Sequence, residues 1–138
     1  MSDIGNAISK KLLATVAITD VCSTRITPDV LPKNQTLPAI TYSIVSNIPE
    51  HHLGGRSELA QARVQLDVYA GTRDAANELG ELVRLAIDGQ TGTWGSHYIR
   101  TCHMDNDITD FDLPIDGSDV KRYVRTQDYL VNYVINIS

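Results

Sequence analysis

Residues 60–89 read AQARVQLDVYAGTRDAANELGELVRLAIDG, and two different periodicities meet inside them. Up to residue 70 the pattern alternates. Ala62, Val64, Leu66, Val68 and Ala70 fall on one side, and Arg63, Gln65, Asp67 and Tyr69 on the other. A period of two is that of a strand with one side buried and one solvated. Past Gly71 the period lengthens. Ala75, Ala76, Leu79, Leu82, Val83, Ala86 and Ile87 form one apolar stripe of a helix over residues 73–88. Thr72 is suited to its N-cap, Asp74 to its first turn and Gly89 to its stop. A strand and a helix joined by so short a turn must fold apolar side to apolar side. Leu79, Leu82, Val83 and Ile87 are therefore expected to pack on Val64, Leu66 and Val68.

The rest of the chain extends this unit in both directions. Ile4, Ile8, Leu12 and Val16 recur every fourth residue, with Ala7 and Leu13 beside them, and predict a helix near residues 3–17, capped by Ser2 with Asp3 at its positive end. RITPDVLPKNQTLP (residues 25–38) carries Pro28, Pro32 and Pro38 and reads as an extended, turn-rich connector. Ala39–Asn47 is β-branched and aromatic, hence a strand. Ile48–Leu59, with its Gly-Gly pair, reads as a long loop, and QTGTWGS (residues 90–96) as a turn. His97–Asp105 and Lys121–Ile137 complete the strands; in the last, Tyr129, Val131, Tyr133, Ile135 and Ile137 share a face. Neighbouring strands lack helical crossovers, so hairpins follow. The expectation is one α+β domain over residues 1–138, a two-layer sandwich with a mainly antiparallel sheet and two helices on one face.

Charge is concentrated in one place. DNDITDFDLPIDGSD, Asp105 to Asp119, holds six aspartates and no Lys, Arg or Glu. Residues 97–119 add only Arg100 to that stretch, for a net of −5, which is the net charge of the whole chain. A pI near 5.2 argues against a nucleic-acid-binding surface. No run of apolar residues is long enough for a membrane helix, and the N-terminal residues are not those of a signal peptide. Cys22 and Cys102 match neither a disulfide framework nor a CxxC ligand pair, so buried free thiols are expected.

The acidic stretch does not make a calcium loop. Asp105 and Asp107 begin the D-x-D pattern, but its fifth position is Thr109 and no glutamate closes it. A carboxylate pair for glycoside hydrolysis would need rigid support on two walls of a cleft, not one connector. His51 and His52 are adjacent, so on an extended segment they point apart; His103 beside Cys102 has the same defect as a zinc pair. GQTGTWG follows a helix instead of opening one and lacks the Lys-Ser/Thr of a phosphate loop. No nucleophile elbow or metalloprotease motif is present. No catalytic residue, cofactor or metal is expected. A solvated connector between strands is the plain reading of the aspartates.

The order of segments resembles a known family. A proline-flanked connector leads into PAITYSIVSN; HHLGG follows; then comes the ARVQLDVYAGTRDAANELGELVRLAIDG junction, and YVRTQDYLVNYVI closes the chain. Together they resemble the tail-completion, or tail-terminator, proteins of long-tailed bacteriophages, also called tail-to-head joining proteins. The resemblance implies a structural virion protein, assembled in the host cytoplasm, that forms a ring, commonly a hexamer, at the head-proximal end of the tail. Its implied partners are further copies of itself, the tail tube protein and a head-tail connector or stopper, with DNA passing through the lumen unbound.

Two site expectations follow. The Ile48–Leu59 loop, through His51, His52, Leu53 and Arg56, is expected to touch a neighbouring subunit or the tail tube. Asp105, Asp107, Asp110 and Asp112 are expected to line or border the lumen, where negative charge repels phosphate. The competing class is a small α+β ligand-binding module or enzyme subunit. It would account for the tyrosines and His97, and it requires a concave apolar pocket in a monomer or dimer.

Overall fold

The computed structural model describes residues 3–32, 35–52, 55–112 and 122–135. Its elements are α1 (Ile4–Leu13), α2 (Val16–Cys22), β1 (Ile26–Pro28), β2 (Ala39–His52), β3 (Gly55–Ala70), α3 (Arg73–Ile87), β4 (Gly92–Trp94), β5 (His97–Asp112) and β6 (Arg122–Ile135). The six strands form one sheet in the order β1-β2-β3-β6-β5-β4. All neighbours are antiparallel except β1 and β2, which run parallel. The fold is α+β with a mostly antiparallel sheet.

The strand–helix unit at residues 60–89 forms as its periodicities require. Ala62, Val64, Leu66, Val68 and Ala70 are wholly buried. Thr72 caps α3 by accepting a hydrogen bond from the Ala75 amide at 3.1 Å. Gly89, at φ +73, turns the chain so that its N–H donates to the Cys102 carbonyl of β5 at 2.7 Å. Leu79, Val83 and Ile87 join Ile4, Ile8 and Leu12 of α1 and Ile18 and Cys22 of α2 in one core against the sheet. The helices therefore cover one face. Leu82 departs from the expectation: it is only partly buried and packs at the edge of this core.

Other expectations are corrected. The N-terminal helix is two helices, which makes three among the described residues. Thr15 adopts an extended conformation (φ −93, ψ 106) between α1 and α2, and its hydroxyl donates to the Lys11 carbonyl left open by the end of α1. This break sets the angle at which α2 leads Ile18 and Cys22 into the core. The cap of α1 is Asp3, not Ser2, through its carboxylate and the Asn6 amide at 2.9 Å. Part of the proline-rich connector pairs with β2 as β1, and Gly92–Trp94 is a short strand rather than turn. The Ile48–Leu59 loop is instead the far half of a long β2–β3 hairpin, paired to His52↔Gly55. The acidic connector is β5 as far as Asp112. In both places cross-strand pairing overrides a composition poor in strand formers.

Candidate functional site

Of the expected contact residues, His51 pairs with Arg56 in the β2–β3 ladder, and His52 with Gly55. Leu53 lies outside the described residues, as do the side chains of His51, His52 and Arg56. The hairpin extends past β6: β3 meets the described end of β6 at Leu59↔Val134, and the β2–β3 ladder continues beyond that point. Val45 and Ile48 on β2 are exposed, at 56% and 62%. The base of the arm is tied down by the Tyr133 hydroxyl, which donates to Asn47 Oδ1 at 2.9 Å. The hairpin is thus an arm with a fixed root, where Val45 and Ile48 turn outward.

The aspartates divide at a bulge. The β5–β6 register shifts between Met104 and Asn106, and the aspartates on the two sides of that shift find partners on opposite faces of the sheet. Asp105 pairs with Arg63 of β3 at 2.7 Å, on the face away from the helices; Asp128 of β6 is 3.8 Å from the same guanidinium. Asp107 faces α3 and takes Arg125 of β6 in a two-bonded pair at 2.9 and 2.6 Å. Asp110 accepts from the adjacent Phe111 amide and remains exposed. Asp112 closes the described part of β5; its side chain, and all of Asp116 and Asp119, lie outside the described residues.

Sequence reasoning missed the arginine partners. It searched for cations along the chain, whereas Arg63 and Arg125 arrive across the sheet. The Asp107 carboxylate beside Arg125 holds that guanidinium even more firmly protonated than usual. Arg125 also donates to the Asn77 carbonyl of α3 at 2.7 Å and reaches Glu81 at 3.4 Å. Next to it the buried Gln127 donates to the Gly80 carbonyl at 2.9 Å and accepts from the Tyr129 hydroxyl at 2.8 Å. Thr109 donates to Asn77 Oδ1 at 2.8 Å. β5 and β6 therefore grip α3 by a polar seam at Gly80, where a Cβ would run into Arg125 Cδ.

Burial raises the Cys22 thiol, and burial with the nearby Asp88 carboxylate pushes Cys102 up to about 12. Both therefore stay protonated and unreactive. Among the described residues no three His, Cys, Asp or Glu side chains converge as metal ligands. Described residues form open concavities at two places of interest. One, of about 290 Å³, is lined by Leu59, Ala60, Arg100, Thr101 and Asn132; the other, of about 480 Å³, lies between Lys10, Lys11, Ala14 and residues 91–95. Cationic and hydroxyl side chains stand in both, beside Leu59 and Ala60 in the first and Ala14 and Trp94 in the second.

The family described as tail completion protein gp17 matches residues 6–112. The chain belongs to this family. It is a structural protein of a bacteriophage tail, and the family match spans the β2–β3 arm and the described acidic strand alike. Among solved structures, a chain in the virion of a native gene transfer agent particle is similar, at 10% identity and TM-score 0.69, over 92% of this chain and 91% of that one. At that identity the likeness concerns the fold. No curated protein matches the chain.

Proposed function

We propose that this tail completion protein acts as a tail terminator. Copies assemble into a six-fold ring in the host cytoplasm, cap the head-proximal end of the tail tube and present a surface to the head connector or stopper. The family match carries the reading. The β2–β3 arm supports it, because exposed apolar side chains on a firmly rooted hairpin suit a contact with another subunit or the tube. His51, His52, Leu53 and Arg56 lie on the segment proposed to make that contact. The function is mechanical, with no catalysis and no cofactor.

The acidic stretch is proposed to border the channel. A ring would carry 6 × −5 = −30 in all, and carboxylates beside the DNA path repel phosphate where Lys and Arg would hold it by counterion release. Asp105 and Asp107 spend much of their charge on Arg63 and Arg125, so Asp110 and Asp112 carry most of this role within the described strand. Light scattering on the purified chain, with negative-stain imaging, tests the assembly. The expected result is a closed ring with an open hole; a chain that stays monomeric at high concentration and still joins tails to heads would overturn the ring.

A further inference from the structure

We propose that the concavity at the end of α1 seats an acidic protein segment, and that in the ring this segment is the Asp105–Asp119 stretch of the adjacent copy. The inference rests on the ring reading and adds to it a named subunit contact.

The concavity has a definite chemistry. Lys10 and Lys11 stand on its rim, Thr91 and Thr93 add hydroxyls, and Trp94 forms part of the wall. Both lysines lean on the β4–β5 corner. Lys11 Nζ sits 5.8 Å from the centroid of the buried Trp94 ring. The Lys10 stem passes so close to Gly95 that a Cβ there would lie 3.0 Å from Lys10 Cδ, and Gly95 holds a left-handed φ of +63. The helix dipole explains why lysines stand in the last turn of α1. It does not explain why both converge on one hollow. Among the described residues neither lysine has a carboxylate partner; Arg63, Arg84 and Arg125 are paired, and Arg73 and Arg100 are not. Two unmatched cations in a chain of net charge −5 leave a local complement for an anion.

The occupant follows from where the opposite charge lies. β5 begins at His97, beside this corner, and carries its acidic residues toward the far end of the same strand. From His97 to Asp110 an extended strand spans roughly 43 Å. Within one copy the two charges therefore sit too far apart to meet. Between copies, acidic end to basic hollow is a heterologous contact, the kind that closes into a ring. Of the six aspartates, two are already paired inside the fold and two lysines can match two more. The remaining pair stays available to a channel running beside the junction. DNA is the weaker candidate, since backbone binding needs a row of cations and only two stand here.

Trp94 is the only tryptophan in the chain and lies in the hollow, so its fluorescence reports occupancy. The probe is a synthetic peptide of residues 105–119; a 15-base-pair duplex is the rival. The peptide should shift the Trp94 signal saturably, with binding about tenfold weaker for the Lys10→Glu/Lys11→Glu variant and weaker still in high salt. In light scattering that variant should lose the ring, and adding Asp116→Lys/Asp119→Lys should restore it. Circular dichroism and an unchanged melting temperature would establish that the variants fold. A wild-type ring that persists unchanged in Lys10→Glu/Lys11→Glu overturns this contact and leaves the ring reading intact. A monomeric wild type overturns the ring reading, and the peptide titration then decides whether the hollow takes acidic protein at all. A signal from the duplex but not from the peptide overturns the choice of occupant.

Discussion

His97 shows how one side chain can carry a pH dependence into the whole domain. It is buried at the start of β5, edge-on to Tyr133 with ring centroids 5.2 Å apart. Burial lowers its pKa below the usual value near 6.5, while the charge of Asp3 pulls the other way to a smaller extent. The unfolded chain therefore binds a proton at a pH where the folded chain does not. The stabilisation is complete above about pH 6.5 and is lost as pH falls below that value. The urea midpoint should drop between pH 7.5 and pH 5.5, and His97→Phe should flatten that part of the curve. An equal drop in the variant would assign the effect to other groups. Gly80 is a second position where one atom decides. Any Cβ there meets Arg125 as it crosses α3 toward Asp107 and the Asn77 carbonyl. Gly80→Val should cost about 1–3 kcal/mol by overpacking, even though glycine is a poor helix residue. A neutral or stabilised variant in chemical denaturation would show that the arginine can move aside.

Among the elements, α3 and the β2–β3 arm contrast. The stripe of α3 is a packing device, and its members differ in weight. Leu79 is wholly buried, whereas Leu82 sits at the core's margin. Leu79→Ala should cost about 2–5 kcal/mol, and Leu82→Ala clearly less, on the order of half, because less of its surface leaves water on folding. Equal losses in the two denaturation curves would mean that the helix is rotated from its described seat. The arm is the opposite case. The ladder pairs of its far half lie beyond the described end of β6, so deleting Pro49–Ser57 and closing the strands with a short turn should leave the melting temperature of the domain nearly unchanged. Ring formation or tail joining should fail. Normal assembly by that deletion would return the arm to a plain hairpin end.

At the scale of the whole molecule, the neutralised aspartates sharpen what the channel proposal predicts. Replacing Asp105, Asp107, Asp110 and Asp112 with Asn keeps shape and removes four charges per subunit, but it also takes from Arg63 and Arg125 their closest carboxylates, leaving Asp128 at 3.8 Å and Glu81 at 3.4 Å. Asp110→Asn with Asp112→Asn is the cleaner variant, since it keeps Asp105 and Asp107 in those arginine pairs. DNA retention or ejection should change in that pair variant, most at low salt where screening is weakest. Unaltered DNA passage in a ring that still forms would remove the channel role. The quadruple variant should additionally lose stability, because two partly buried guanidinium groups lose their closest charged partners.

Local periodicity was enough for the central unit. The alternation at residues 60–70, the stripe and caps of α3, the core-facing set of β3 and the α+β class could all be read from neighbours a few positions apart, since such signals are short-range. Segment order also sufficed for the family. What lay beyond local reading was every feature made by pairing across the sheet. Ile48–Leu59 and the aspartates have loop-like compositions, yet both lie in strands because partner strands supply the missing hydrogen bonds. The break at Thr15 depends on where Ile18 must be buried. The fates of the aspartates were decided by a bulge that no composition marks, which turned one carboxylate toward Arg63 and another toward Arg125. Charge can be counted along a chain, but whether it is neutralised depends on distances of a few ångströms between residues far apart in sequence.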